Sequence, residues 1–121
     1  MKIYLAGRFV NKELLKAKRS DLEKLGHFIT SRWLDGQPYS KQDNALMDLE
    51  DIDKADAIVL YADTVPQPER PYGGMFVEFG YGFAKKKKIF VVHPELTRCI
   101  FIHLPEVIHL PTWEALYEYS S

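Results

Sequence analysis

Little in this chain speaks for a disulfide, a membrane span or a nucleic-acid polymer. It has one cysteine, Cys99, which cannot close an internal disulfide, so a reducing cytoplasm is the expected compartment. The opening stretch Met1–Arg8 has too short an apolar run to predict a signal peptide or a membrane span. Charges nearly cancel, with 16 basic and 17 acidic side chains and a formal net charge of −1. That balance gives no electrostatic reason to expect a nucleic-acid polymer or a membrane surface as partner. There is no internal repeat and no low-complexity segment. His93, Cys99, His103 and His109 fit no zinc-ligand spacing, so no metal is expected. What remains is ordinary for a soluble globular protein: 121 residues, 46% hydrophobic and 27% charged. That is enough for one domain with a real core.

The chain alternates strand-like and helix-like segments. Lys2–Ala6 reads as a first strand, broken by Gly7. Asn11 is set to cap a helix over Lys12–Leu25, with Leu14, Leu15, Leu22 and Leu25 as its buried stripe and Gly26 as its stop. His27–Trp33 predicts a second strand, with Phe28 and Ile29 as its core residues. A loop over Leu34–Tyr39 follows from its Asp-Gly and proline content. Ser40 then caps a helix over Lys41–Lys54 with Ala45, Leu46, Leu49 and Ile52 inward. Asp56–Tyr61 predicts a third strand, and Pro66, Pro68 and Pro71 make Thr64–Tyr72 a stiff exposed loop. Ile89–Val92 reads as a fourth strand and Val107–Leu110 as a fifth. Cys99–Ile102 reads equally as strand or helix. Thr112 caps a last helix, Trp113–Tyr119. The order predicts an α/β fold: a doubly wound, flavodoxin-like, parallel five-stranded sheet with helices on both faces. In such sheets a ligand sits at the carboxyl ends of the strands. Gly7-Arg8-Phe9, Tyr61-Ala62-Asp63 and the start of the helix around Glu78 should gather there.

The rest of the chain is organised around Tyr72–Ala84, between the third and fourth strands. Met75, Val77, Phe79, Phe83 and Ala84 fall near helical spacing, and a helix joining two buried strands is the unit of a parallel sheet. Glu78 stands out within that apolar helix. A lone carboxylate there is costly to desolvate unless it faces a cleft and has a task, or lies solvated on the helix edge.

Three pieces of the sequence carry a resemblance: Ile3–Phe9, Asp48–Asp56 and Gly74–Gly82. In that order and spacing the chain resembles the nucleoside 2-deoxyribosyltransferases and their relatives, the 2'-deoxynucleoside 5'-phosphate N-hydrolases. The resemblance covers most of residues 1–121, as a single domain of that type. It implies cleavage of an N-glycosidic bond in a deoxynucleoside or deoxynucleotide, without a cofactor, and Glu78 as the nucleophile of a two-step reaction that retains configuration. It implies Asp48 as the residue that contacts substrate and protonates the leaving base. On its own, without the resemblance, Asp48 reads first as one charge on a solvated acidic helix face. Tyr4 would orient the nucleophile, or serve as a half-buried strand aromatic. Gly7, Arg8 and Phe9 would form part of the substrate wall, and Gly73 and Gly74 would permit close backbone approach.

Two positions depart from the family pattern. Tyr72 stands where many transferases place a sugar-binding aspartate. Arg8-Phe9-Val10 stands where the hydrolases carry a serine- and glycine-rich phosphate loop, which leaves Arg8 and Arg70 as anion contacts. Transfer to a second base and hydrolysis by water both remain open. The resemblance also implies a homodimer or larger assembly. The reading from a different class is a module that binds a nucleotide without turning it over. Trp33 and Tyr39 could stack on a base, with core packing the alternative for Trp33.

Overall fold

The computed structural model describes residues 1–63 and 73–120. Its strands are β1 (Lys2–Gly7), β2 (Phe28–Ile29), β3 (Ala57–Tyr61), β4 (Lys88–Val92) and β5 (Ile108–Leu110). Its helices are α1 (Lys12–Lys24), α2 (Lys41–Lys54), α3 (Gly74–Ala84) and α4 (Trp113–Ser120). The strands form one sheet in the order β2-β1-β3-β4-β5, parallel throughout. This is the doubly wound, flavodoxin-like order, and its switch point lies between β1 and β3. The crossover from β1 leads to β2 on one side, and the crossover from β3 leads to β4 on the other. The cleft therefore opens at the carboxyl ends of β1 and β3, where Gly7 pairs with Tyr61.

The helices take both faces. On one, the Tyr117 hydroxyl of α4 donates to Asp21 of α1 at 3.0 Å. On the other, the Tyr81 hydroxyl of α3 donates to Asp53 of α2 at 2.8 Å. Between them the strands are apolar on both sides, and Ile3, Tyr4, Leu5, Ile58, Leu60 and Phe90 are fully buried. That double burial is what a parallel sheet with two helical layers requires. Ser40 and Thr112 cap α2 and α4 as their sequence positions imply, accepting the Asp43 and Ala115 amides at 3.1 Å. Asn11 stands at the start of α1 but makes no side-chain cap; its amide goes to Asp63 instead.

The second strand is far shorter than His27–Trp33. Thr30 still donates its amide to the Ile3 carbonyl at 2.8 Å, but the next partner of β1 is a side chain: the Ser31 hydroxyl accepts the Leu5 amide at 3.0 Å. With the ladder satisfied by a hydroxyl, the backbone is released into a 3-10 turn, Arg32–Asp35. Phe28 consequently lies on a sheet edge, 66% exposed, rather than in the core. Leu14 and Leu25 are exposed as well, leaving Leu15 and Leu22 as the buried pair of α1. In α2 the buried residues are Met47, Asp51 and Ile52, while Ala45 and Leu46 face outward. Asp51 can be inside because Arg32 donates to it twice, from its backbone amide at 3.0 Å and from Nε at 2.8 Å. Cys99–Ile102 leads into a 3-10 turn, Ile100–His103. Helix α3 ends at Ala84, and of the four following lysines Lys88 already belongs to β4. The Thr64–Tyr72 loop, with Arg70 and Tyr72, lies outside the described residues.

A close approach sets the position of α3. A Cβ placed on Gly82 would stand 1.9 Å from Ile58 Cδ1 and 3.1 Å from Ile58 Cγ1. Glycine there lets the helix lie directly on β3, which brings the preceding turn, with Glu78, over β1.

Candidate active site

Tyr4 sits in the middle of β1 and is fully buried. Its hydroxyl donates a hydrogen bond to Glu78 Oε2 on α3. The strand aromatic and the helix carboxylate thus meet directly, although 74 residues separate them. Glu78 lines a cleft of about 360 Å³, together with Asp48 of α2, Gly7 at the end of β1, Arg8 and Phe9 just after it, and Gly74 at the start of α3. That volume lies in the range of small-molecule sites. Of the residues the sequence singled out for the site, these six line the cleft, and Tyr4 reaches it through Glu78. Gly73 caps α3 and is exposed rather than lining. Tyr72 falls outside the described residues.

The electrostatics separate the two carboxyls from ordinary surface acids. Burial is the main reason Glu78 is pushed up to about 8; the charge of Asp48 adds to this, while the Tyr4 hydrogen bond opposes it. Burial likewise raises Asp48 to about 6, helped by Asp51 and opposed by Gln37 and Arg32. The Tyr4 phenol is raised well above its ordinary value by burial first, then by the charges of Glu78 and Asp48. It therefore stays a hydrogen-bond donor across the physiological range.

Arg8 is not a bare cation. Its Nη2 donates to Asp63 at 2.9 Å, and Asn11 Nδ2 donates to the same oxygen at 3.3 Å. Asp63 follows β3, so this pair ties together the carboxyl ends of the two central strands. Arg8 Nε is buried and takes no partner among the described residues. Trp33 resolves in favour of packing with a second use. It is 6% exposed and donates its indole N–H to the Leu5 carbonyl at 2.9 Å, yet it still forms part of the cleft wall. Tyr39 is exposed and does not line the cleft.

Several lining residues escaped the sequence reading, among them Gln37, Ala45 and Met75. Gln37 Nε2 donates to both oxygens of Asp48, at 3.0 and 3.2 Å. Nothing in a Gly-Gln-Pro loop announces that contact. Ala45 was legible as apolar but was assigned to the core rather than to the cleft. Among the described residues no group of three or more His, Cys, Asp or Glu side chains is arranged to hold a metal ion, and no helix is long and apolar enough to cross a membrane.

No protein-family model matches the chain, and no curated protein matches it by sequence. Among solved structures it is similar to one described as the Clostridium botulinum CMP N-glycosidase BcmB. The TM-score is 0.64 at 19% sequence identity, and the match covers 99% of this chain and 98% of that one. Over its whole length, then, the chain shares the fold of that protein.

Proposed function

We propose that this chain cleaves the N-glycosidic bond of a deoxynucleoside or deoxynucleoside 5'-monophosphate through a glycosyl ester on Glu78. The observation that carries this reading is the pairing, in one cleft at the switch point, of a tyrosine-held carboxyl with a second carboxyl of raised proton affinity. The resemblance in three motifs supports it. So does the likeness in fold to a protein described as acting on CMP.

The chemistry follows from the proton inventory of the pair. With values of about 6 and about 8, Asp48 and Glu78 together hold one proton and one negative charge near neutral pH. A double displacement needs that inventory. In the resting cleft the proton favours Glu78. Bound substrate biases it the other way, because the anomeric carbon gains positive charge beside Glu78 while the base nitrogen gains negative charge beside Asp48. A Glu78 oxygen then attacks C1', forming a C–O bond as the C1'–N bond breaks. The electron pair of that bond stays with the base, which takes its proton from Asp48. In the second step Asp48 accepts a proton from water, or from the nitrogen of an incoming base, and that nucleophile displaces Glu78 at C1'. Tyr4 keeps one Glu78 oxygen occupied throughout, leaving the other to react. No step calls for a metal or an organic cofactor.

Arg8, with its charge shared with Asp63, suits an oxygen of the sugar or of a 5'-substituent better than it suits a free dianion. Self-association belongs to the same reading. Val77 lines the cleft and also an adjoining apolar groove of about 350 Å³ between α3 and the 3-10 turn at Ile100–His103, which includes Phe76, Phe83 and Phe101. A second copy covering that groove would border the cleft.

The test is chromatographic release of free base from a panel of deoxynucleosides, ribonucleosides and their 5'-monophosphates. Release from at least one deoxy compound is expected, with a second base in the reaction distinguishing transfer from hydrolysis. Saturable binding by calorimetry without release of base from any compound would instead establish a binding module.

A further inference from the structure

The loop before α2 carries a residue that no motif singled out. Gln37 lines the cleft and reaches both Asp48 oxygens through Nε2. A glutamine on an exposed loop ordinarily loses such contacts to water and to its own rotamer freedom. Here the loop is fastened. Asn44, in the first turn of α2, donates through Nδ2 to the Gln37 carbonyl at 3.0 Å and to the Tyr39 carbonyl at 3.1 Å. Its Oδ1 accepts the Tyr39 amide at 3.2 Å. One side chain thus pins both neighbours of Pro38, whose ring stiffens the segment further. Gln37 approaches Asp48 from a backbone anchored one turn away on Asp48's own helix.

We propose that Gln37 is a positioning residue that orients the Asp48 carboxyl in the cleft, with Asn44 as the brace that holds Gln37 in place. The inference rests on the reading of Asp48 as the acid that protonates the leaving base. An ionised Asp48 takes the amide on both oxygens. Once protonated, it keeps one good acceptor oxygen, the amide holds that oxygen, and the hydroxyl is left to face the base. The same hydrogen bonds favour the ionised form, opposing the burial that raises Asp48. The charged and titratable groups around Asp48 are Asp51 on the same helix, Arg32 after β2, Glu78 on α3 and Tyr4 on β1. Gln37 is neutral, so its removal alters Asp48 without altering the charge of the cleft.

The experiment compares the parent with Gln37→Ala, Gln37→Glu and Asn44→Ala. It uses pH–rate profiles and ¹³C titration of the Asp48 carboxyl. Gln37→Ala should move the Asp48 midpoint upward from about 6 and lower kcat about tenfold, with KM within about twofold, as expected for one lost hydrogen bond to a charged group. Gln37→Glu should move the midpoint further, by adding a like charge. Asn44→Ala should act in the same direction and less. An unchanged Asp48 titration in Gln37→Ala, or a loss confined to KM, overturns the proposal; the second result would make Gln37 a base-binding residue. A parent that releases no base from any compound overturns the proposed function and the catalytic role of the clamp with it. The carboxyl titration still decides in that case whether Gln37 controls Asp48, so the two failures are distinguishable.

Discussion

Glu78→Gln separates chemistry from folding at one atom. The amide has nearly the volume of the carboxyl, and its oxygen still accepts the Tyr4 hydroxyl. What it cannot do is form the glycosyl ester, so base release should fall by roughly three orders of magnitude, about 4 kcal/mol in the barrier. Stability should move the other way. The folded protein raises Glu78 from an ordinary value of 4.5 to about 8. Below the lower value both folded and unfolded states hold the proton, and the carboxyl costs nothing on this account. Between the two values the unfolded chain releases the proton while the folded protein retains it. Stability then declines by about 1.4 kcal/mol per pH unit. Above the upper value both states are ionised and the penalty is constant. At pH 7 the penalty is on the order of 2–3 kcal/mol, allowing for partial exposure. The glutamine variant does not pay it and should melt about 5–10 °C higher than the parent at pH 7. The advantage should grow toward pH 8 and disappear near pH 4. Thermal melts over that range, beside turnover of the same preparations, make the measurement. Near-normal turnover refutes the nucleophile. A variant less stable than the parent at pH 8 refutes the account of what Glu78 costs the fold.

The pH dependence of base release should be a bell with limbs near 6 and 8, since the pair must hold one proton and one charge; a plateau running through pH 9 would exclude a protonated acid of this kind. Tyr4→Phe removes a hydrogen bond that lowers Glu78, so the alkaline limb should shift upward and kcat should fall about tenfold, at a stability cost of about 1 kcal/mol; an unmoved limb would detach Tyr4 from the nucleophile. Gly82→Ala places a methyl 1.9 Å from Ile58 Cδ1, which should cost about 1–3 kcal/mol by overpacking, offset by up to about 1 kcal/mol of helix propensity. If the buried Ile58 side chain cannot swing aside, α3 must rise off β3 to admit the methyl and kcat should fall as well; parental activity would show that Ile58 gives way and the helix stays in place.

The sheet was legible because its strands are short apolar runs separated by capped amphipathic helices, and right-handed crossovers leave few ways to wind them. Glu78 was legible because a carboxylate in the apolar run Met75–Ala84 is an anomaly in any fold. The errors have a common cause: polar side chains that take over backbone or charge duties. Ser31 replaces a strand partner of β1, so the second strand stops after Ile29. Asp51 is buried because Arg32 reaches it from across the fold, and periodicity alone cannot place a charge inside. Of the α2 stripe Ala45, Leu46, Leu49 and Ile52, Ile52 is buried and Leu49 packs against the core, while Ala45 and Leu46 are exposed and Met47 is buried instead. Gln37 was invisible for a related reason: its role depends on Asn44 fastening a loop, a contact without a sequence pattern.

Helix α2 carries two acids whose partners explain their different uses. Asp51 has a guanidinium and a backbone amide, which satisfy its carboxyl in the interior and hold the turn that places Trp33. Asp48, one turn earlier, is hydrogen-bonded by the neutral amide of Gln37, and Glu78 across the cleft by the neutral hydroxyl of Tyr4. A cation against either carboxyl would hold it ionised and remove the proton that the leaving base requires. An apolar surround without any donor would leave both protonated and remove the nucleophile. Neutral donors lie between these limits: they orient a carboxyl without fixing its charge, so the proton can cross from one acid to the other as the substrate demands. The guanidiniums near the pair are both committed elsewhere: Arg32, whose charge reaches Asp48, to Asp51 at 2.8 Å, and Arg8, which lines the cleft, to Asp63 at 2.9 Å. By this argument Asp63→Asn, which frees the Arg8 guanidinium, should depress both carboxyls and move the whole bell toward acid, a displacement that pH–rate profiles of the purified variant would read directly.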